Sequence, residues 1–373
     1  MAVSGLYRGR SVEADVGPRR IELRVDIDVP AAHLVTTNAV SADVFVVDPL
    51  SDADSDAYLE SWIVESPAVR REASHVGIRG AVKFWERPAV KADMCARINL
   101  GDTAGSVAEV TLTFTDGATQ CYRCTEYAGS HFRELELQVD VCRSVAPLRL
   151  PVYRCGSHAE PAGLVGRDLT IESAWAEAGI RVTTLASGTI EDPEGMVWSN
   201  AELLHAADQH FRRARDTTPS FSMWGLLAGR HHDKTAAGMM FGTVAPHRQG
   251  FTVFRNHEDF NSLALPDPQT QPAQSTFSKA ELDARRLYLF TWMHEMGHAF
   301  NLKHSRLKAL PKSLSWMNEP LKFDGAPSFF RQFRFAFDPV ELAHLRHGNR
   351  REVIMGGNPF MSGSHLDLPP HVS

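Results

Sequence analysis

His294-Glu295-Met296-Gly297-His298-Ala299-Phe300-Asn301-Leu302-Lys303-His304 is the stretch on which the reading of this chain turns. Residues four apart on a helix share one face. His294 and His298 can therefore reach one metal ion from the same side. Glu295 stands one step round the helix, close enough to touch a water on that ion without competing for it. The spacing describes a metal site with a base built in.

A third histidine follows six positions after His298. On an unbroken helix, at about 100° per residue, His304 would point roughly 240° away from the metal face. It can join the other two only if the chain turns back first. That turn needs a left-handed residue, for which glycine is best and asparagine second. Asn301 stands at the required place. Upstream, Ser278 with Glu281 three residues later is a capping box. Leu282, Arg285, Arg286, Leu289, Met293, Met296 and Phe300 recur at spacings of three and four. The pattern predicts a helix from about Ser278 to about Phe300. Gly297 costs such a helix about 1 kcal/mol against alanine, which close packing on a neighbouring element would explain.

His294, Glu295, His298 and His304 resemble the metzincin zinc-peptidase pattern H-E-x-x-H-x-x-G-x-x-H, with Asn301 replacing the glycine. Metzincins carry a methionine turn beneath the metal. Met317, in Ser315-Trp316-Met317-Asn318-Glu319-Pro320, fits it in type and distance, and Met355 is a second candidate. Some branches place a tyrosine two residues after that methionine; here the position is Glu319.

The resemblance implies a metzincin-like zincin catalytic domain over 167–373; with the antiparallel β-sandwich-like domain that strand alternation predicts before it, the expected fold class is α+β. The resemblance also implies Zn2+ held by His294, His298 and His304. The activity it implies is endopeptidase hydrolysis of a protein or peptide substrate by a metal-activated water, with Glu295 as general base. The substrate would lie as an extended strand along Gly250 to Phe254 or Ala237 to Phe241. Two alternatives stand beside this. One is a zincin whose third ligand is Glu319, 21 residues past His298. The other is a non-catalytic binding module that keeps a zinc-stabilised fold. Arg154-Cys155-Gly156 resembles the cysteine switch of matrixin-type metzincins, although Ser157-His158-Ala159-Glu160 does not continue that motif; a buried structural cysteine is the competing reading.

The rest of the chain sets the frame. Its 373 residues are enough for two domains, and 43% hydrophobic content supports an ordinary core. A net charge of −6 without a basic cluster argues against a nucleic-acid partner. No apolar run reaches about 18 residues, so no transmembrane segment is expected. Residues 1–19 read as an N-terminal tail without a secretory signal, which points to the cytoplasm or to export by a non-classical route. The five cysteines include one C-x-x-C, Cys121 and Cys124, and no second close pair. Asp52, Asp54 and Asp56 alternate in a loop, either as a calcium site or as a solvated acidic turn.

Residues 20–145 read as strands. Ile21, Leu23 and Val25 alternate with polar neighbours, as do Val110, Leu112 and Phe114, and Leu135, Leu137, Val139 and Val141. Asp116-Gly117 fits a hairpin turn. Residues 146–166, rich in proline and glycine, read as a linker. Beyond them, Asp168 and Ser199 are candidate caps of two helices. Strands are expected over Ile180 to Leu185, Phe221 to Leu227, Ala237 to Phe241 and Gly250 to Phe254. Asp338-Pro339 with Glu341 marks a late helix. His344 and His347 on that helix read as packing or surface residues.

Overall fold

The computed structural model describes residues 2–12, 17–29, 35–47, 56–101, 107–156, 160–164, 166–185, 188–213, 219–242, 245–263 and 277–362. Asp52, Asp54 and Ser157 to Ala159 lie outside these residues. The chain divides into two compact units. The first comprises 1–133, 177–181 and 342–350, and the second the remainder.

The first unit is built on nine strands: β1 (Gly5–Ser11), β2 (Arg19–Asp26), β3 (Ala39–Val46), β4 (Ala57–Glu65), β5 (Ala68–Arg71), β6 (His75–Phe84), β7 (Ala92–Asn99), β8 (Ala108–Phe114) and β9 (Thr119–Gly129). Neighbours pair antiparallel in the order β4-β3-β2-β1-β9-β8-β7-β6-β5. A further pairing of β4 with β6, Trp62 opposite Phe84, joins the two ends. Eight strands thus form a closed barrel, with β5 as a short extension on β6. The expected β-sandwich is not what forms. Period-two alternation describes a strand with one buried face and is the same for a sandwich and a barrel. Closure depends on β1, whose Gly-Leu-Tyr-Arg-Gly-Arg-Ser run lacks that alternation. The interior is filled by Ile21, Leu23, Val25, Trp62, Met94, Val110, Leu112 and Tyr122 with their neighbours.

The same unit holds a buried ionic cluster. Asp43 accepts two bonds from the Arg24 guanidinium, at 2.7 and 2.9 Å, and a third from Arg133 at 3.3 Å. Arg350 stands 3.6 Å away. Asp26 pairs with Arg346 at 2.8 Å. His347 donates to or accepts from the Ser41 hydroxyl at 2.8 Å. These groups, on the barrel face opposite its apolar filling, fasten 342–350 to β2 and β3. His347 is therefore a packing residue with no solvent exposure.

The second unit contains β10 (Arg133–Cys142), β11 (Val152–Arg154), β12 (Asp168–Thr170), α1 (Ile171–Glu177), β13 (Ile180–Leu185), β14 (Thr189–Ile190), β15 (Val197–Trp198) and α2 (Asn200–His210). Then come β16 (Ser222–Ala228), β17 (Arg230–His231), β18 (Gly238–Phe241), β19 (Gly250–Phe254) and α3 (Lys279–Ala299). The short α4 (Pro320–Phe323) and α5 (Ala326–Phe330), then α6 (Pro339–His347), whose residues from 342 on belong to the first unit, and α7 (Arg350–Val353) close the described chain. Its main sheet runs β13-β10-β16-β19-β18, with β14 beside β10. β10, β16 and β19 are mutually parallel and β18 is antiparallel to β19.

The chain as a whole is mostly sheet with few helices, and it is not the α+β metzincin catalytic domain that the resemblance implied. The resemblance rested on an eleven-residue motif, which specifies ligands and one turn, and on a methionine downstream of it. Such a motif constrains a site and leaves the surrounding architecture open. Asp168 lies in β12 rather than capping α1, whose start is fixed by reciprocal Thr170 and Ser173 side-chain bonds. Ser199 does cap α2, in a full capping box with Glu202. Among the described residues no helix is long and apolar enough to cross a membrane.

Candidate metal centre

α3 begins where its cap predicts: the Ser278 hydroxyl accepts the Glu281 N–H at 3.2 Å. From Tyr288 to Ala299 every residue of it is buried, as expected for a helix apolar nearly all round. Trp292 meets Phe251 of β19 edge-on, with ring centroids 5.4 Å apart. On another side Trp175 lies 4.8 Å from Phe300.

The helix ends as the third histidine requires. Asn301 has φ 68°, in the left-handed region. Leu302 N–H donates to Gly297 C=O at 3.0 Å and Asn301 N–H to His298 C=O at 2.9 Å. This pair of bonds is the Schellman closure. It reverses the chain and brings His304 back to the face that carries His294 and His298.

The three Nε2 atoms form an equilateral triangle with edges of 3.1 Å. The outer nitrogens explain why those atoms face one another. His294 Nδ1 stands 2.8 Å from Trp316 C=O and His298 Nδ1 2.8 Å from Leu302 C=O. A carbonyl only accepts, so each Nδ1 carries the hydrogen and each Nε2 presents a lone pair. Protonation would relieve the crowding, but it is disfavoured. Burial, then the neighbouring His304, pushes His294 down to about 4. Burial and both neighbours push His298 well below its ordinary value. Burial also lowers His304. The converging neutral imidazoles make a cation site: His294, His298 and His304 could together hold a metal ion. The triangle's centre lies about 1.8 Å from each nitrogen, inside the roughly 2.0–2.1 Å typical of metal–imidazole bonds. His294, His298 and His304 would be the residues that hold such an ion.

Behind His304 stands a carboxylate. Glu319 Oε2 lies 3.7 Å from His304 Nδ1 and is itself paired with Arg306. Its other oxygen holds Lys322 at 2.6 Å. Partial burial works against the charge, but Lys322, His304 and Arg306 keep this carboxyl below the ordinary range. Glu319 thus sits behind His304, on the side away from the Nε2 triangle.

Met317 lies beneath the helix, fully buried. A β-carbon at Gly297 would stand 2.3 Å from its sulfur, which is the close packing that the glycine requires. The segment is held by Met317 N–H on Ser315 Oγ at 3.0 Å, and by Ser305 N–H on Met317 C=O at 2.9 Å. Behind it the Ser315 hydroxyl and Lys308 both bond Glu341, which with Asp338 caps α6. Met355, the second candidate, is buried in a bridge to Ser220.

Glu295 is buried, and burial pushes its carboxyl up to about 8 although the Met240 N–H bonds it. β18 lies directly on it. A β-carbon at Gly238 would stand 2.7 Å from Glu295 Cγ and 2.6 Å from Thr291 Cγ2. Cys155 is buried beside β11, bonded through its main chain to Arg167 and Gly166, and is not in the metal-capable group. None of the five cysteines is in a disulfide. Two residues escaped the sequence reading: Phe360, edge-on to His298 at 5.4 Å, and Arg248. The Arg248 guanidinium, buried, donates to Ala299 C=O at the end of α3 and to Ile354 C=O, each at 2.8 Å. Neither lies near the motif in sequence, so no spacing could have flagged them.

No family model matches this chain, and no curated protein matches it.

Proposed function

We propose that this protein is a zinc-dependent endopeptidase of metzincin-type chemistry, with His294, His298 and His304 as ligands and Glu295 as general base. The observation that carries the reading is the convergence of three Nε2 lone pairs, two of them from the helix that also carries the buried Glu295. Three imidazoles and an open fourth position are the donor set of catalytic zinc, whereas structural zinc is closed by four protein ligands. Among the described residues the group has three members. A bound zinc ion would polarise a scissile carbonyl and lower the pKa of a water from 15.7 towards about 7. In its ionised form Glu295 would take a proton from the attacking water as the C–O bond forms. It returns that proton to the amine as the C–N bond breaks. The Met240 N–H favours the ionised form of Glu295, the form that accepts the proton.

The substrate edge falls on β18. β19 lies inside the sheet between β16 and β18, so of the two strands considered only β18 ends it. An extended peptide can add there through main-chain hydrogen bonds, next to Glu295. His304 is favoured over Glu319 as third ligand because its Nε2 completes the triangle while Glu319 is held by Arg306 and Lys322.

Casein or a peptide library, assayed with and without chelator and after zinc is restored, tests the reading. Chelator-sensitive, zinc-restorable cleavage is expected. A zinc-loaded protein that cleaves nothing would leave the binding-module alternative in its place.

A further inference from the structure

The residue that turns the chain has a side chain with its own work. Asn301 is fully buried. Its Oδ1 accepts the Met361 N–H at 2.7 Å, and its Nδ2 donates to Ser362 C=O at 2.9 Å. The amide therefore pairs with the main chain of a segment sixty residues away as another strand would. Glu352 braces the same segment. It accepts from Ser362 Oγ at 3.0 Å, Asn358 Nδ2 at 2.6 Å and Asn301 Nδ2 at 3.3 Å. Arg248 Nε adds a bond to Asn358 C=O at 2.9 Å. What these bonds deliver is Phe360, whose ring stands at 81° to that of His298, an edge-to-face contact.

A left-handed turn alone would be served better by glycine, which pays no Cβ penalty there. Asparagine adds only its amide, and that amide bonds the main chain of Met361 and Ser362 and the Glu352 carboxylate that braces the same segment. We propose that Asn301 and Phe360 are positioning residues for the metal: Asn301 ties down the 358–362 strap, and the strap holds the ring of the second ligand. His298 would then be gripped from two sides, by the Leu302 carbonyl at Nδ1 and by Phe360 at its ring. The inference rests on reading the three imidazoles as a metal site.

The test is metal retention in the full-length protein, using Asn301→Gly and Phe360→Ala. Glycine keeps the turn and deletes the amide. Each variant is loaded with one equivalent of Zn2+ and challenged with a chromogenic chelator. Cobalt substitution gives a visible spectrum that reports ligand geometry. Both variants should still bind one equivalent but lose it about 10- to 100-fold faster, the range for loss of an outer partner. Their cobalt bands should shift in the same direction. Wild-type release rates and spectra in both would overturn the inference and leave the metal site standing. Should Asn301→Gly fail to fold, Phe360→Ala decides alone. A wild-type protein that takes up no metal would overturn this inference and the proposed function together.

Discussion

The sulfur of Met317 lies against the α-carbon of Gly297, so close that a β-carbon on that glycine would be 2.3 Å from it. The floor of the metal centre and the helix bearing two of its ligands are thus in contact where the helix has no side chain.

Gly297→Ala separates two opposing effects. Helix propensity alone would stabilise α3 by about 1 kcal/mol. Overpacking against a fully buried methionine costs about 1–3 kcal/mol. The overpacking should win, because Met317 has no exposed direction in which to move. Denaturant unfolding checks the sign. In a Met317→Ala background the same change should become neutral or stabilising, and equal losses in both backgrounds would refute the contact.

Glu295→Gln should keep one equivalent of zinc and lose about 10²- to 10⁴-fold in peptide turnover. Gly238→Ala should also lower turnover with metal content intact, by pushing on the Glu295 stem. Turnover near wild type in Glu295→Gln would remove the general-base assignment.

His304→Ala and Glu319→Gln distinguish ligand from support. The first deletes a vertex of the Nε2 triangle and should abolish stoichiometric binding at micromolar zinc. The second should bind one equivalent with affinity reduced about 10-fold or more. Metal analysis after gel filtration reads both. The reverse ranking would restore Glu319 as third ligand.

Asp43 makes the barrel unit acid-sensitive. Burial raises its carboxyl, but Arg24, Arg133 and Arg350 more than offset this, and it ends well below the ordinary range. The folded state therefore binds fewer protons than the unfolded state, whose carboxyl titrates near about 3.9. Stability from this group is complete above that pH and is lost as pH falls below it. Hydrogen exchange of the β2 and β3 amides should be level from pH 7 to 5, after correction for intrinsic rates, and protection should drop below about pH 4. Asp43→Asn removes the buried negative charge that faces Arg24 and Arg133 and should cost about 3–5 kcal/mol at pH 7. A cost under about 1 kcal/mol would show that the cluster contributes no net stability.

What could be read from the sequence was local. The cap at Ser278, the left-handed turn at Asn301, the Ser199 capping box and the Asp338–Glu341 pair each depend on residues within a few positions. Strand extents in the second unit could be read for the same reason: Gly250–Phe254 was expected and Gly238–Phe241 differs by one residue. What depended on distant partners was hidden. Leu135 to Val141 alternates like the barrel strands, yet pairs with β16 in the other sheet. Nothing near Trp62 says that it will face Phe84 and close a barrel. The Arg24–Asp43–Arg133 cluster joins residues up to ninety positions apart. Nor does Asn301 announce that its amide will bind Met361.

Main-chain carbonyls, of Trp316 and Leu302, hold the tautomers of the first two histidines. No neighbouring side chain can be substituted to release them. The Leu302 carbonyl belongs to the reversal itself, so residues 300–304 cannot fray without freeing the second imidazole and displacing the third. For an ion held by these three imidazoles, escape would then be linked to local opening of this loop, which the exchange rate of the Leu302 amide reports.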